Sequence, residues 1–341
     1  MTDLKTQLDA ILHGAAFAEI TDRSFLRITG PDATRWLNGM VTNNIKDLAP
    51  GEGNYNFLLN AQGRIQGDCT IYREPGEGDP TFLLEADSSQ LTALTQLLDH
   101  FIIMDDVELK PLEDLSGILV AGPQAPSIVM ELGTANHQAA PCSSNPQPAP
   151  QTISLKQTVY AGASVSLILT NSPLVPCFEI WSDPSTIASI LTELSGTSAL
   201  PISAAALEAY RILSATPRYG TDIRNTETAK DLPQETAQTH ALHFNKGCYL
   251  GQEIVERIHS RGAVHRTFAQ FTLSGPVPTL PAPLELNGKT VGELTSAAVI
   301  PLSDGDTTLA LGYARLEALN QPLTYPGGTA LTRNSKLATQ N

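Results

Sequence analysis

The sequence contains no long hydrophobic run and no pattern of the kind that begins a secreted protein. None of its segments approaches eighteen consecutive apolar residues, the length that a membrane-spanning helix requires. Its first residues, MTDLKTQLDAILHG, carry acidic side chains where a signal peptide has basic and then apolar residues. We therefore expect a cytoplasmic protein that does not associate with membranes.

Basic residues are scarce as well. The 341 residues include 21 Lys and Arg against 35 Asp and Glu, which gives a formal net charge of −14. Because such an excess of negative charge repels a phosphate backbone, general binding to nucleic acids is disfavoured.

Cysteine is equally sparse, with four residues in the whole chain: Cys69, Cys142, Cys177 and Cys248. No two of them form a C-x-x-C pair, so the spacing indicates neither a zinc ribbon nor a small disulfide framework. Each thiol must be judged by its own surroundings.

What the chain does have is enough length for two or three domains, because hydrophobic cores stop growing well below 341 residues. Up to about residue 214, helices alternate with pairs of strands, which favours an α+β fold over a doubly wound parallel sheet. Beyond Arg266, short strands separated by Gly and Pro are typical of a small β-barrel or sandwich. The polar stretch from Thr134 to Thr152 predicts a surface loop.

The spacing of apolar residues predicts the individual elements. We expect Asp32 to cap the helix that follows it, since a carboxylate accepts hydrogen bonds from first-turn amides. The predicted helices run from Leu4 to Leu12, Ala33 to Met40, Ser88 to Phe101, Ser185 to Leu194 and Ala204 to Ser214. The predicted strands include Ser24 to Thr29, Tyr55 to Leu59, Ile65 to Tyr72, Thr81 to Glu85, Val165 to Thr170, Cys177 to Trp181, Phe268 to Leu273, Thr290 to Ser296, Leu309 to Arg315 and one near Ala330.

The segment K-G-C-Y-L-G-Q-E, residues 246–253, is the most unusual part of the sequence. Two glycines that bracket a Cys-Tyr pair predict a tight turn that presents side chains, and Gly251 leads into a helix. Lys246 and the amides at the start of that helix would both favour the thiolate form of Cys248. The alternative is that Cys248 is a small buried residue without chemistry.

This motif resembles the signature of the YgfZ-type folate-binding proteins, which are relatives of the aminomethyltransferase of glycine cleavage. Other segments look like landmarks of the same family in the same order. They are L-R-I-T-G-P-D-A at 26–33, L-N-G at 37–39, T-N-N at 42–44, L-N-A-Q-G-R-I at 59–65, L-P-Q-E at 232–235, G-E-L-T-S-A at 292–297 and A-L-G-Y-A-R at 310–315.

The resemblance implies a fold and a domain plan. It implies an α+β protein of T-protein type, a three-domain ring of antiparallel sheets and flanking helices with a C-terminal β-barrel. Residues 1–250 would form the folate-binding region of two interleaved α+β domains. Residues 251–341 would form a linker helix and the barrel domain. Tetrahydrofolate, or one of its one-carbon derivatives, would be the cofactor at the centre of the ring.

The resemblance also implies site residues. Asp68 matches the acid near the one-carbon-bearing nitrogens of folate, Glu179 matches the acid that grips the pterin ring, and Arg211 matches an arginine of the same cavity. A pterin presents an exocyclic amine and a ring N–H side by side, so one carboxylate can accept both hydrogen bonds. Arg211 and other basic groups would meet the glutamate tail of the folate, and Lys246 would also belong to the cofactor-binding residues. The alternative for each is an ordinary surface residue.

Two positions depart from the transferase pattern. Aminomethyltransferases have two adjacent acids where this chain has Gly67 and Asp68, so the field around the reacting nitrogen differs and amine chemistry is in doubt. Residues 213–216, L-S-A-T, replace the acidic residue and glycine that usually follow the family's Arg-Ile.

His240 and His243 precede Cys248, and their spacing with a thiol resembles part of a metal site. No fourth ligand is evident, so we prefer the interpretation that they belong to a strand or turn edge and that the protein has no metal site.

These observations leave three hypotheses for the function. The first is a tetrahydrofolate-binding accessory protein for iron–sulfur cluster assembly or repair, with Cys248 as the functional thiol and client iron–sulfur proteins or assembly factors as partners. The second is a folate-dependent aminomethyl or methyl transferase in which Asp68 assists carbon–nitrogen cleavage. The third is a folate-responsive scaffold without catalytic activity. The cysteine motif favours the first.

Overall fold

A computed structural model of the protein describes residues 2–134, 153–226, 230–262, 264–303 and 305–333. Residues 135–152 of the predicted surface loop, Cys142 included, lie outside the described residues. The chain divides into two compact units that interleave along the sequence. The sheet unit comprises Met1–Leu58, Asp68–Ala204 and Asn245–Tyr249, and the barrel unit comprises Leu59–Gly67, Ala205–Phe244 and Leu250–Asn341. The ring arrangement and the domain boundary after residue 250 stay predictions.

The α-helices of the described residues agree closely with those predicted from apolar spacing. They are α1 Leu4–His13, α2 Ala33–Met40, α3 Ser88–Asp99, α4 Ala125–Val129, α5 Pro184–Leu194, α6 Ala204–Leu213 and α7 Gln252–Arg261. Helix α5 shows why a helix begins where it does, because Asp183 accepts the backbone amides of Ser185 and Thr186 at 3.0 Å. Within the described part of the chain, no helix is long and apolar enough to span a membrane.

The helix cap predicted for Asp32 is wrong. Asp32 does occupy the N-cap position of α2, but its side chain makes no capping hydrogen bond. Its carboxylate instead accepts the backbone amide of Asp106 and the guanidinium of Arg35, both at 2.9 Å. Competing donors from a loop distant in sequence therefore outweigh the local amides.

Eleven strands form the framework of the sheet unit. In chain order they are β1 Ala16–Ile20, β2 Arg23–Thr29, β3 Glu52–Leu59, β4 Ile65–Arg73, β5 Phe82–Asp87, β6 Glu108–Leu112, β7 Ser116–Ala121, β8 Ile153–Tyr160, β9 Ala163–Leu169, β10 Cys177–Ser182 and β11 Leu200–Pro201. Their order in the sheet is β11-β1-β7-β10-β9-β8-β3-β4-β5-β2-β6. The short β1–β11 pair is parallel, whereas pairs such as β2–β5 and β7–β10 are antiparallel, as the α+β prediction requires.

This sheet curls so that strands far apart in its order face each other. Five strands lie between β2 and β10, yet the rings of Phe25 and Trp181 meet edge to face with centroids 4.9 Å apart. Gly117, the cross-strand partner of Trp181, makes room for the indole, since a Cβ there would lie 2.6 Å from the Trp181 ring. We call the side of the sheet that carries Phe25 and Trp181 the inner face.

The barrel unit contains the closed six-stranded β-barrel that the sequence predicts. Its strands are β12 Arg266–Leu273, β13 Ala282–Leu286, β14 Lys289–Leu302, β15 Gly305–Arg315, β16 Leu323–Tyr325 and β17 Gly328–Thr332. The barrel closes because β12 pairs with both β15 and β17. Phe271, Leu284 and Leu294 are fully buried in its core. The two barrel strands not predicted are β13, which contains Pro283, a residue unusual inside a strand, and β16, whose three residues are too few for a clear alternation.

Candidate functional site

Asp68 lies on β4 and is half-buried. Its carboxylate accepts hydrogen bonds from the hydroxyl of Tyr55 at 2.5 Å and from the side-chain amide of Gln90 at 2.8 Å. Gln90 also accepts the backbone amide of Asp68 at 3.2 Å, so the acid is held at both ends. Burial and the negative charge of Asp68 raise the pKa of the Tyr55 hydroxyl well above its ordinary value.

Glu179 lies on β10, where it is half-buried and accepts the indole N–H of Trp181 at 2.8 Å. Burial, followed by repulsion from Glu85, raises the pKa of Glu179 to about 8, although attraction by Arg23 and the Trp181 hydrogen bond oppose this shift. At neutral pH the Glu179 carboxyl is therefore largely protonated. Because the charges of Glu85 and Arg23 act on it, a ligand that changes these interactions would also change its protonation.

Two charged residues of the inner face were not predicted from the sequence. The Arg23 Nε donates to Glu85 at 2.6 Å, and the hydroxyl of Tyr72 donates to the other Glu85 oxygen at 2.6 Å. Burial alone would lower the pKa of Arg23, but attraction to Glu85, Glu179 and Asp68 raises it overall. The arginine is therefore the cation that the three carboxylates share.

The sequence does contain a signal for this pair. Glu85 is the only charged residue of the run F-L-L-E-A at 82–86, and an acid inside a strand that is otherwise buried needs a partner. Arg23 alternates with Phe25 and Arg27, which places all three on the same face of β2. What the sequence could not supply was the curl that brings β10 opposite β2.

The inner face thus combines three carboxylates, one guanidinium and the aromatic rings of Phe25, Tyr72 and Trp181. Asp68 and Glu179, two of the predicted site residues, both interact electrostatically with Arg23 and so lie in one cluster. Carboxylate oxygens accept N–H donors from a ligand, whereas the three rings are buried and pack in the hydrophobic cluster next to these polar groups. The arrangement suits a polar heterocycle that has N–H groups at its edge.

Lys246 and Cys248 belong to the sheet unit. The ammonium of Lys246 donates to the carbonyl of Val41 at 2.6 Å and to the carbonyl of Asn43, and it lies 5.2 Å from the centre of the Tyr249 ring. Burial lowers the pKa of Lys246 to about 7. Because the ammonium donates to two backbone carbonyls and its pKa is lowered, Lys246 stabilises a Cys248 thiolate less than the sequence predicts. Its contact with folate stays a prediction.

Cys248 is exposed, whereas Cys69 and Cys177 are buried. It follows Gly247, whose φ of +97° is a conformation that glycine adopts easily and other residues rarely do. This turn presents the thiol to solvent, which confirms the expectation that Cys248 is reachable and contradicts the buried alternative.

The second half of the motif packs on another landmark, within the barrel unit. A Cβ at Gly251 would lie 2.6 Å from the carbonyl oxygen of Asn60, and a Cβ at Gly63 would lie 2.8 Å from the Cβ of Ile254. The turn at 60–63 is itself closed by a hydrogen bond from the Gly63 amide to the Asn60 carbonyl at 2.9 Å. The two glycines are therefore required by close contact between segments that are distant in sequence.

Arg211 belongs to the barrel unit and is buried. All five of its N–H donors have partners within the protein. Nε and Nη2 donate to Glu208, Nη2 also donates to Ser296, and Nη1 donates to Asp222 and to the carbonyl of Thr216, at distances of 2.6–2.9 Å. These bonds tie helix α6 to strand β14, and the predicted contact of Arg211 with folate stays a prediction.

Among the residues that the structure describes, no three His, Cys, Asp or Glu side chains are grouped so that they could hold a metal ion. His259 stacks on Phe244 with ring centres 3.8 Å apart. Burial lowers the pKa of His240.

Comparisons with known proteins agree with this architecture. The family model of the GCVT N-terminal domain matches residues 3–237. The structure resembles that of the glycine cleavage system aminomethyltransferase T from Bartonella henselae, with a TM-score of 0.81 at 19% identity over 98% of this chain and 88% of that one. The chain therefore has the T-protein fold, as predicted.

Sequence relatives carry a different name. The chain is 27% identical to the mitochondrial iron–sulfur cluster assembly factor IBA57 of Homo sapiens, over 91% of this chain and 81% of the relative. It is also 27% identical to the mitochondrial IBA57 homolog of Neurospora crassa, over 79% of this chain. The match spans 56% of the length of that Neurospora relative.

Proposed function

The chain belongs to the family of the GCVT N-terminal domain, and from this we propose that it is a YgfZ-type protein that binds tetrahydrofolate and supports iron–sulfur cluster assembly or repair. The observation that carries the proposal is the exposed thiol of Cys248 in the K-G-C-Y-L-G-Q-E motif, together with the carboxylates of the inner face. The name of the human and Neurospora relatives, iron–sulfur cluster assembly factor, supports the same direction.

The inner face fits a reduced pterin. Glu179 receives one hydrogen bond, from Trp181, so its carboxylate oxygens retain lone pairs for the exocyclic amine and ring N–H of the pterin. Two N–H donors of a bound pterin would favour the ionised form of the Glu179 carboxyl and so lower its raised pKa. Hydrogen bonds to a charged acceptor are the stronger kind. When bound, tetrahydrofolate would supply ring nitrogens that carry a one-carbon unit. Glu179 would orient the ring, and Asp68 would face it with a carboxylate held by Tyr55 and Gln90.

The thiol distinguishes this proposal from ordinary transferase chemistry. A solvent-exposed cysteine can engage a client protein or an assembly factor, whereas carbon–nitrogen cleavage by an acid needs no thiol. Gly67 stands where aminomethyltransferases have a second acid, which also argues against amine chemistry.

Folate binding is tested first by calorimetry with tetrahydrofolate under anaerobic conditions. We expect the wild type to bind and Glu179→Ala to bind at least about tenfold more weakly, because loss of a paired acceptor costs about 1.4 kcal/mol or more. The matched control is Glu74→Ala, which removes a carboxylate from the same face of the sheet that is paired with Arg27. Equal affinity of the wild type and Glu179→Ala would remove Glu179 from the site.

The role of the thiol is tested in a strain that lacks the gene. We expect the wild-type protein to restore the activity of client iron–sulfur enzymes and Cys248→Ala to fail, although the variant still binds tetrahydrofolate. Rescue by Cys248→Ala would favour a folate-responsive scaffold. Production of methylenetetrahydrofolate from an aminomethyl-loaded carrier protein would favour the transferase, and Asp68→Asn should then abolish that activity.

A further inference from the structure

Arg23 has donors that the protein leaves unused. Its Nε donates to Glu85, but the part of the chain that the structure describes offers no hydrogen-bond partner for its two terminal amino groups. The side chain is 30% exposed. A guanidinium carries five donors, so the two terminal groups hold four N–H bonds available to something outside the protein.

The guanidinium is nevertheless held in place. Glu85 is 2% exposed and binds Arg23 through one oxygen while Tyr72 donates to the other. Because Tyr72 is itself buried, the hydrogen bonds from Tyr72 to Glu85 and from Arg23 Nε to Glu85 fix the Arg23 guanidinium. The orientation of its two terminal amino groups is thereby set by the sheet. A pre-positioned planar donor loses little entropy when it binds an acceptor.

Its neighbours determine what kind of acceptor can approach. Glu179 and Asp68 act on Arg23 electrostatically, so donors and acceptors stand side by side on the inner face. A bare anion would meet the nearby carboxylates and be repelled. A neutral heterocycle with a carbonyl next to N–H groups fits this arrangement, because its carbonyl can accept from the guanidinium while its N–H groups donate to a neighbouring carboxylate.

The pterin ring has such an edge, since its 4-oxo oxygen adjoins the ring N–H and the 2-amino group. We propose that Arg23 donates to the 4-oxo group of the pterin while Glu179 accepts the neighbouring N–H groups, which makes Arg23 the residue that selects a 4-oxo over a 4-amino pteridine. This inference rests on the proposed folate binding. It assigns to Arg23 a contact that the sequence resemblance assigns to no residue.

The test compares tetrahydrofolate with its 4-amino counterpart, tetrahydroaminopterin, by anaerobic calorimetry on the full-length protein. Arg23→Met should weaken binding of tetrahydrofolate at least about tenfold, because a hydrogen bond from a charged donor is lost. The same substitution should leave the affinity for the 4-amino ligand unchanged or increase it, since a donor no longer faces the 4-amino group. The ratio of the two affinities should therefore change at least tenfold, whatever its value in the wild type.

Arg27→Met is the matched control. Arg27 lies two residues further along β2 on the same face, and both of its bound nitrogens, Nε and Nη2, donate to Glu74 at 3.1 Å. It lines a cavity of about 420 Å³ whose walls include Phe25 and Trp181 but not Arg23. Its substitution should leave the ratio of affinities unchanged. If Arg23→Met does not fold, Arg23→Lys replaces it, because lysine keeps the positive charge but lacks the planar guanidinium donors. This variant should shift the ratio of affinities in the same direction.

Three results would overturn the inference. If the Arg23 variants weaken both ligands equally, the arginine contributes general attraction and not selection. If they weaken neither ligand, Arg23 does not touch the pterin, although the proposed folate binding would stand. If the wild type binds neither ligand, the proposed function falls and this inference falls with it.

Discussion

Arg23 in the sheet unit and Arg211 in the barrel unit are both tied to carboxylates, yet their surroundings differ. The side chain of Arg211 is 9% exposed and all five of its donors are used, whereas that of Arg23 is 30% exposed and uses one. Asp222, the fully buried partner of Arg211, also accepts the hydroxyls of Thr295 and Ser296. A closed network of this kind stabilises a fold.

The open network around Arg23 has a different character. It contains more acids than bases, and one of them, Glu179, is raised in pKa by burial and by Glu85. Unused donors and a perturbed carboxyl side by side are typical of functional sites rather than of structural ion pairs. The cysteines repeat the contrast, since Cys69 is enclosed and Cys248 is open to solvent.

The largest expected effect comes from breaking the closed network. Arg211→Met should lower the free energy of unfolding by about 3–5 kcal/mol, because it leaves Asp222 buried without its counter-ion. Urea denaturation followed by circular dichroism measures this loss. The control is Arg218→Met, whose side chain is 44% exposed and pairs with Glu208, and it should cost under about 1 kcal/mol.

A different result would revise the comparison. If Arg211→Met is as stable as the wild type but no longer binds tetrahydrofolate, Arg211 contacts the folate. Its hydrogen bonds would then not be the structural network inferred above.

Thiol labelling sharpens the same contrast at the cysteines. In a Cys142→Ser background, Cys248 should react with iodoacetamide on the order of a hundredfold faster than Cys69. The buried Cys69 thiol can react only when the surrounding structure unfolds locally. Burial also raises the pKa of the Cys69 thiol well above its ordinary value, which slows the reaction further. Mass spectrometry of tryptic peptides gives both rates, and in urea they should converge. Protection of Cys248 in the native protein would end its assignment as the functional thiol.

The smallest of the three effects concerns Glu179 and pH. Its folded pKa of about 8 lies above the ordinary value of 4.5, so the stability linked to its protonation is present below pH 4.5 and lost as the pH rises through 8. Glu179→Gln removes this loss because the amide does not ionise. Between pH 5 and pH 9 the variant should gain about 2–4 kcal/mol in unfolding free energy over the wild type, since one pKa unit corresponds to about 1.4 kcal/mol.

Thermal unfolding across this range measures the difference. Glu74→Gln is the control and should show no comparable trend, since Glu74 is paired with Arg27. A constant difference between wild type and Glu179→Gln would mean that Glu179 is ionised throughout.

The positions of Asp68, Glu179 and Cys248 in their local elements were predictable from the sequence. Alternation on β4 and β10, and glycine on either side of Cys248, are local properties of the backbone. The helices could be predicted for the same reason, because apolar spacing reports which side of an element is buried. The missing cap of Asp32 could not, since one of the donors that its carboxylate accepts, the Asp106 amide, lies more than seventy residues away.

The sequence by itself therefore determined most of the helices and many of the strands, the α+β class, the barrel at the end of the chain and the turn that exposes Cys248. Only the tertiary structure decided which charged residues have all their hydrogen-bond donors paired within the protein and which keep unpaired donors. Neither the neighbours of Arg23, Asp22 and Ser24, nor those of Arg211, Tyr210 and Ile212, show which arginine has all its donors paired. Their difference depends on how many acceptors arrive from other elements, and that number depends on the curl of the sheet around Arg23 and on the packing of α6 against the barrel strand that carries Ser296. Hydrogen bonding acts over about 3 Å, so it depends on tertiary distances that local periodicity does not encode.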